Sequence, residues 1–294
     1  MMKTILSTFI LFFVLAEMTA QEDTKTPAFQ VNVHGKGETM FLIPGLSCSG
    51  NVWNETVEKY KNTYEIHVFT LAGFGGVKPI ASETILEEVK TKLIAYIKKH
   101  KTKNSVLVGH SIGGFTSLLI ALEDETLVSK IIIVDSLPFL AGAYNPQATE
   151  EVVKSTYGTL KQMYMPMDSV TLRNTLKQSL GGMMRNKENL DFVLKDAAKS
   201  DRKTLGYTMF EMMSNDLRDD LAKLKTPTLI LTNWNKPLPQ FPNFTRAEKE
   251  KMYQEQYKNC TSCTLKIIDE AEHFIMLDNP TVFFREVSNF IKPN

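Results

Sequence analysis

The stretch Val106-Leu107-Val108-Gly109-His110-Ser111-Ile112-Gly113-Gly114 constrains this chain more than any other. An apolar run from Ser105 to Val108 ends in Gly-x-Ser-x-Gly, and a small-residue helix start follows from Gly113 to Leu119. That order predicts a strand, a turn and a helix, with the turn so tight that Ser111 is thrown clear of the backbone. A side chain at Gly109 or Gly113 would collide with the adjoining strand or helix. Ser111 Oγ then stands exposed over a helix N-terminus, which favours negative charge developing on a nearby oxygen. Gly-x-Ser-x-Gly recurs by chance in many chains. Its strand–turn–helix setting is what makes Ser111 a candidate nucleophile.

At these residues the sequence resembles the α/β-hydrolase fold family, and the resemblance extends over nearly all of the chain after about residue 28. It implies a mostly parallel central sheet flanked by helices, with an inserted helical lid. The apolar runs fit that plan. Phe29–His34 alternates like an early strand, whereas Thr39–Ile43, Tyr64–Phe69, Lys130–Val134, Thr228–Leu231 and Thr264–Ile268 suit further strands of the sheet. Helical spacing marks Ser82–His100, with Ser82 as its cap, while Thr245–Tyr257 reads as a charged helix and a terminal helix starts near Pro280. From Ser136 to about Leu221 the strand-like runs vanish, and eight of the fourteen methionines fall there. Residues 137–220 are therefore expected to form the lid, and residues 21–136 and 221–294 the core. Methionine lines adaptable apolar pockets, so Met163, Met209 and Met213 are expected at the substrate, with Cys48 from the loop after the second strand.

A serine hydroxyl needs a base, and the base needs an orienting partner. Of five histidines, His273 follows the last strand, where the resemblance places the catalytic base. It also places one oxyanion N–H in the loop Pro44-Gly45-Leu46, at Leu46, although Pro44 stands where histidine is common; Ile112 supplies the other. The acid is irregular. Many relatives carry it after the strand represented here by Thr228–Leu231, but no Asp or Glu occurs between Asp220 and Glu248. Asp135, at the end of the strand after the nucleophile strand, matches the position used by haloalkane dehalogenases and some lipases. Asn233 or Asn235 is the alternative, as a neutral orienter.

Lysine and arginine total 34 against 33 acids, so charge gives no case for nucleic acid. The basic run at 98–103 suits the solvated end of a helix. Lys3, the apolar run Ile5–Leu15 and the small residues up to Ala20 read as a signal peptide spanning 1–20. No later run is long and apolar enough to span a membrane, so an exported chain with no stable membrane insertion after processing is expected. Export permits a disulfide, and Cys260-Thr261-Ser262-Cys263 is expected to close a small one, leaving Cys48 free. Metal and cofactor are not required, and the oligomeric state stays open. With serine at the elbow, the expected reaction is hydrolysis of a small or medium apolar ester, thioester or lactone. A carbon–carbon bond hydrolase on the same residues and a non-catalytic ligand binder are the alternatives.

Overall fold

The computed structural model describes residues 26–236 and 243–292. The expected signal peptide at 1–20 and the proline-bearing stretch at 237–242 lie outside the described residues. Strands β1 (Phe29–Gly35), β2 (Glu38–Ile43), β3 (Tyr64–Leu71), β4 (Val106–His110), β5 (Lys130–Val134), β6 (Thr228–Trp234) and β7 (Cys263–Asp269) form one sheet. Their order is β1-β3-β2-β4-β5-β6-β7. β1 runs antiparallel to β3, while β2 to β7 are parallel.

Helices sandwich the central strands, so these strands are apolar along their whole length instead of alternating. Phe41, Leu42, Leu107 and Ile131 to Val134 are all fully buried. The edge strand β1 instead alternates and leaves Val33 exposed. The covering helices are α1 (Asn54–Tyr60), α2 (Ile85–His100) and α3 (Ile112–Glu123). Between β5 and β6 come five more: α4 (Leu140–Tyr144), α5 (Glu150–Thr156), α6 (Ser169–Gly181), α7 (Lys187–Ala197) and α8 (Arg202–Ser214). The chain closes with α9 (Arg246–Gln256), α10 (Ile275–Asp278) and α11 (Pro280–Ile291). Thr245 and Glu248 form a reciprocal capping box at the start of α9. Cys260 and Cys263 are joined where the chain enters β7, their Cα atoms 5.4 Å apart. Among the described residues no helix is long and apolar enough to cross a membrane.

The helical insert is fastened to the sheet domain at its later end. The Asp201 N–H donates to Gly73 O at 2.7 Å, and Ser49 Oγ and Asn51 Nδ2 donate to Asp196 Oδ2 at 2.7 and 2.8 Å. A third tie corrects the expected Ser82 cap. The helix begins only at Ile85, and Ser82 Oγ accepts the Thr84 N–H one step outside it. The cap comes across space: the Leu86 N–H donates to both carboxylate oxygens of Glu211 on α8, at 3.1 and 3.3 Å. A helix N-terminus favours a carboxylate, yet burial dominates and raises the Glu211 pKa to about 7. Raised above its value in the unfolded chain, this group stabilises the fold fully in acid, and that contribution is lost as the pH rises through about 7. Glu211→Gln keeps an acceptor for Leu86 without the charge. Its stability relative to wild type is expected to improve by about 2 kcal/mol between pH 5 and pH 8, read from denaturant midpoints. An identical difference at both pH values contradicts this.

Candidate active site

Strands β4, β5 and β7 of the parallel sheet deliver Ser111, Asp135 and His273 to the same edge, at their C-terminal ends, with β6 lying between β5 and β7. Ser111 follows β4 directly, with φ 54° and ψ −121°, and its N–H donates to Val134 O at 2.9 Å. A serine held at positive φ is a strained conformation kept by its surroundings. The surroundings here are backbone. A Cβ on Gly109 would stand 2.2 Å from Gly113 O, and one on Gly113 would stand 2.3 Å from Ile43 O. Gly109 is therefore required if β4 and α3 are to meet at so short a turn, and Gly113 if α3 is to start against the end of β2. Among the described residues Ser111 Oγ is not hydrogen-bonded to the His273 ring, although both line the same cavity. Such bonds often tighten only when substrate is bound.

Asp135 follows β5, also at positive φ, 44°, and its N–H donates to Leu231 O at 2.7 Å. The His273 Nδ1–H donates to Asp135 Oδ2 at 2.6 Å. Asp135 Oδ1 accepts from Thr232 Oγ1 at 2.9 Å and from Tyr253 OH at 2.8 Å. The Asp135 side chain is only 9% exposed. Burial alone would raise its carboxyl, but Lys249, His273 and Tyr253 together outweigh burial and hold it well below the usual carboxylate range. With its proton fixed on Nδ1, the ring leaves Nε2 free to accept one. Asn233 and Asn235 do not orient the ring. Asn233 Nδ2 donates to Ala271 O at 3.3 Å, and Asn235 Nδ2 to Glu272 Oε1 at 2.7 Å.

His273 is held from a second side by a residue the sequence did not single out for the site. The His110 Nε2–H donates to the His273 carbonyl at 3.1 Å, and the two rings lie 4.6 Å apart. Burial, then the neighbouring His273, lowers the His110 pKa well below that of an ordinary histidine. A neutral His110 thus serves as a fixed donor behind the loop. Thr232, Tyr253 and Lys249 were likewise missed. The available signal was the i, i+4, i+8 spacing of Lys249, Tyr253 and Tyr257 on an otherwise charged helix.

A cavity of about 660 Å³ opens over these groups. Leu46, Met209 and Met213 line it, together with Leu176, Leu180 and Met252. Two expected lining residues are corrected. Met163 is 43% exposed on the surface, and its neighbour Tyr164 lines the cavity instead. The chain passes Met163 in a turn after a short 3-10 helix, and methionine content alone does not tell which residue of a turn faces inward. Cys48 is buried in the core, because Ser47 takes φ 62° and the Cys48 N–H closes a turn on Gly45 O at 3.1 Å. Burial first, then Asp196, pushes its thiol up to about 12, which removes it as a nucleophile. Ile112 is fully buried, and as the first residue of α3 its N–H faces the helix N-terminal end.

The family described as Alpha/beta hydrolase family matches residues 40–286. The chain belongs to it. Among α/β hydrolases, a pimeloyl-[acyl-carrier protein] methyl ester esterase of Vibrio vulnificus is 26% identical over 242 residues, covering 82% of this chain and 92% of that protein. The bromoperoxidase of Bacillus anthracis superposes with a TM-score of 0.72 at 17% identity, covering 90% of this chain and 95% of that one. The enol-lactonase of Burkholderia xenovorans superposes at 0.70 with 12% identity, covering 90% and 96%. The seven-stranded, mostly parallel sheet is the expected α/β-hydrolase sheet, and the chain is a hydrolase of that family.

Proposed function

We propose that this hydrolase cleaves a carboxylic ester of a small or medium apolar acid through an acyl-Ser111 intermediate. The observation that carries the reading is the Asp135–His273 hydrogen bond of 2.6 Å, beside a serine on a strained elbow in the same largely apolar cavity. Ser111 Oγ attacks the carbonyl while His273 Nε2 takes its proton. The Leu46 and Ile112 N–H groups hold the oxyanion, and His273 returns the proton to the leaving alcohol. Water, activated by the same ring, then cleaves the acyl-serine. The methyl ester esterase named among the relatives supports an ester over a thioester or lactone.

The helices between β5 and β6 act as a lid in this reading, since Met209 and Met213 of α8 close the cavity above Ser111. The reading also includes export, with a mature chain beginning at Gln21 and an oxidised Cys260–Cys263 pair. N-terminal sequencing of the chain recovered outside the cell tests that part. A panel of methyl esters of increasing acyl length tests the reaction. From acetyl to hexanoyl, kcat/KM is expected to rise roughly fourfold per added CH2, the gain from burying about 0.8 kcal/mol of methylene. Activity that falls with chain length, or no hydrolysis of any ester, contradicts the assignment.

A further inference from the structure

One charged side chain packed against the candidate acid has no part in the steps above. Helix α9 is mostly charged and solvated, yet one of its faces is turned onto the end of β5. Tyr257 OH donates to Ser136 O at 2.9 Å, and Tyr253 OH donates to Asp135 Oδ1 at 2.8 Å. One turn earlier, Lys249 Nζ donates to Asn233 Oδ1 and stands 4.0 Å from Asp135 Oδ1. The Lys249 side chain is 17% exposed and lines the cavity. Withdrawing an ammonium that far from water is costly unless a partner compensates. The partner here is the carboxylate already bonded to His273.

We propose that Lys249 is a positioning residue for the reaction, a counter-charge that limits how strongly Asp135 stabilises a protonated His273 and so keeps the ring a free base at lower pH. A lone buried carboxylate against an imidazole favours the imidazolium, which cannot take the Ser111 proton. A cation on the far oxygen of that carboxylate opposes the ring's protonation and leaves the Nδ1 hydrogen bond in place. Other groups face the pair. His110 approaches from the end of β4, Asp135 from β5 and Tyr253 from α9, while Lys236 and Glu272 stand in the cavity wall. Lys249 acts with His273 and Tyr253 to hold the Asp135 carboxyl down against the burial that would raise it.

The proposal rests on the esterase reading only for its effect on rate, so two measurements are made on the full chain. The first is the NMR titration of the His273 ring, assigned by its loss in His273→Gln, with no substrate present. The second is the acid limb of kcat/KM for a methyl ester. Lys249→Met is expected to move the ring midpoint and the acid limb upward together, by about one pH unit. Lys249→Arg, which keeps the charge, is expected to restore both towards wild type. Lys249→Gln removes the charge but keeps a polar head that can reach Asn233 Oδ1, and is expected to shift both in the same direction as Lys249→Met. Lys249→Gln carries the test alone if Lys249→Met does not fold. A ring midpoint unmoved in the folded variants overturns the proposal. So does a loss of kcat shared equally by Lys249→Met and Lys249→Arg with no movement of the limb. A shifted ring midpoint in a protein that cleaves no ester keeps the proposal and removes the esterase reading.

Discussion

Ser111→Ala is expected to lower kcat for ester hydrolysis by about 10⁶-fold, with the fold retained. The fold should survive because the elbow is built by backbone approaches at Gly109 and Gly113, and Ser111 Oγ adds no hydrogen bond to them among the described residues. Alanine at φ 54° carries the same strain that serine already carries. His273→Ala should cost about as much, and the double variant little more than either single one, because nucleophile and base act as a unit. Circular dichroism and the urea midpoint separate a lost reaction from a lost structure. A double variant far slower than both singles contradicts the pairing of the two residues.

The next largest effect is expected at Asp135. Asp135→Asn should lower kcat by about 10⁴-fold at neutral pH, the scale known for the corresponding change in serine proteases. The hydrogen-bond network dictates why. Thr232 Oγ1 and Tyr253 OH both donate to Oδ1, and Lys249 stands beside the same oxygen. An asparagine must therefore keep its carbonyl there and turn its NH2 towards His273. Nδ1 then becomes the acceptor, the ring proton moves to Nε2, and Nε2 no longer takes a proton from Ser111. Asn233→Ala and Asn235→Ala should cost far less, since Ala271 and Glu272 are their partners. Retention of more than about a tenth of wild-type kcat in Asp135→Asn removes Asp135 as the orienting acid.

Much of this site was legible in the sequence because its parts are local. The elbow is a contiguous pattern in which spacing, glycine and the apolar strand before it all have one steric cause. His273 stands after the last strand, where the resemblance implies the base. Asp135 was reached through the resemblance, which offers the end of this strand as a second place for the acid once the usual one, between Asp220 and Glu248, holds none. Groups that act only across space were hidden. Tyr253 meets Asp135 over a separation of 118 residues, and His110 meets His273 over 163. Helix α9 reads as solvent-facing because one buried stripe among many charges leaves little periodic signal. Helix α2 lost its expected cap for a similar reason, since its N-terminal partner is Glu211 on another helix. Met163 and Cys48 show the limit of composition, because side-chain direction in a turn depends on single backbone angles.

The central claim is that Ser111 is a nucleophile activated by His273, and one measurement tests it most directly. Intact mass is recorded after brief exposure to an alkyl fluorophosphonate, which captures a serine only where a base has activated it. Wild type is expected to gain the mass of one phosphonyl group, located on Ser111 by peptide mapping. Ser111→Ala should gain none, and His273→Ala should gain it far more slowly. Wild type that stays unlabelled, or Ser111→Ala labelled as fast as wild type, contradicts the claim.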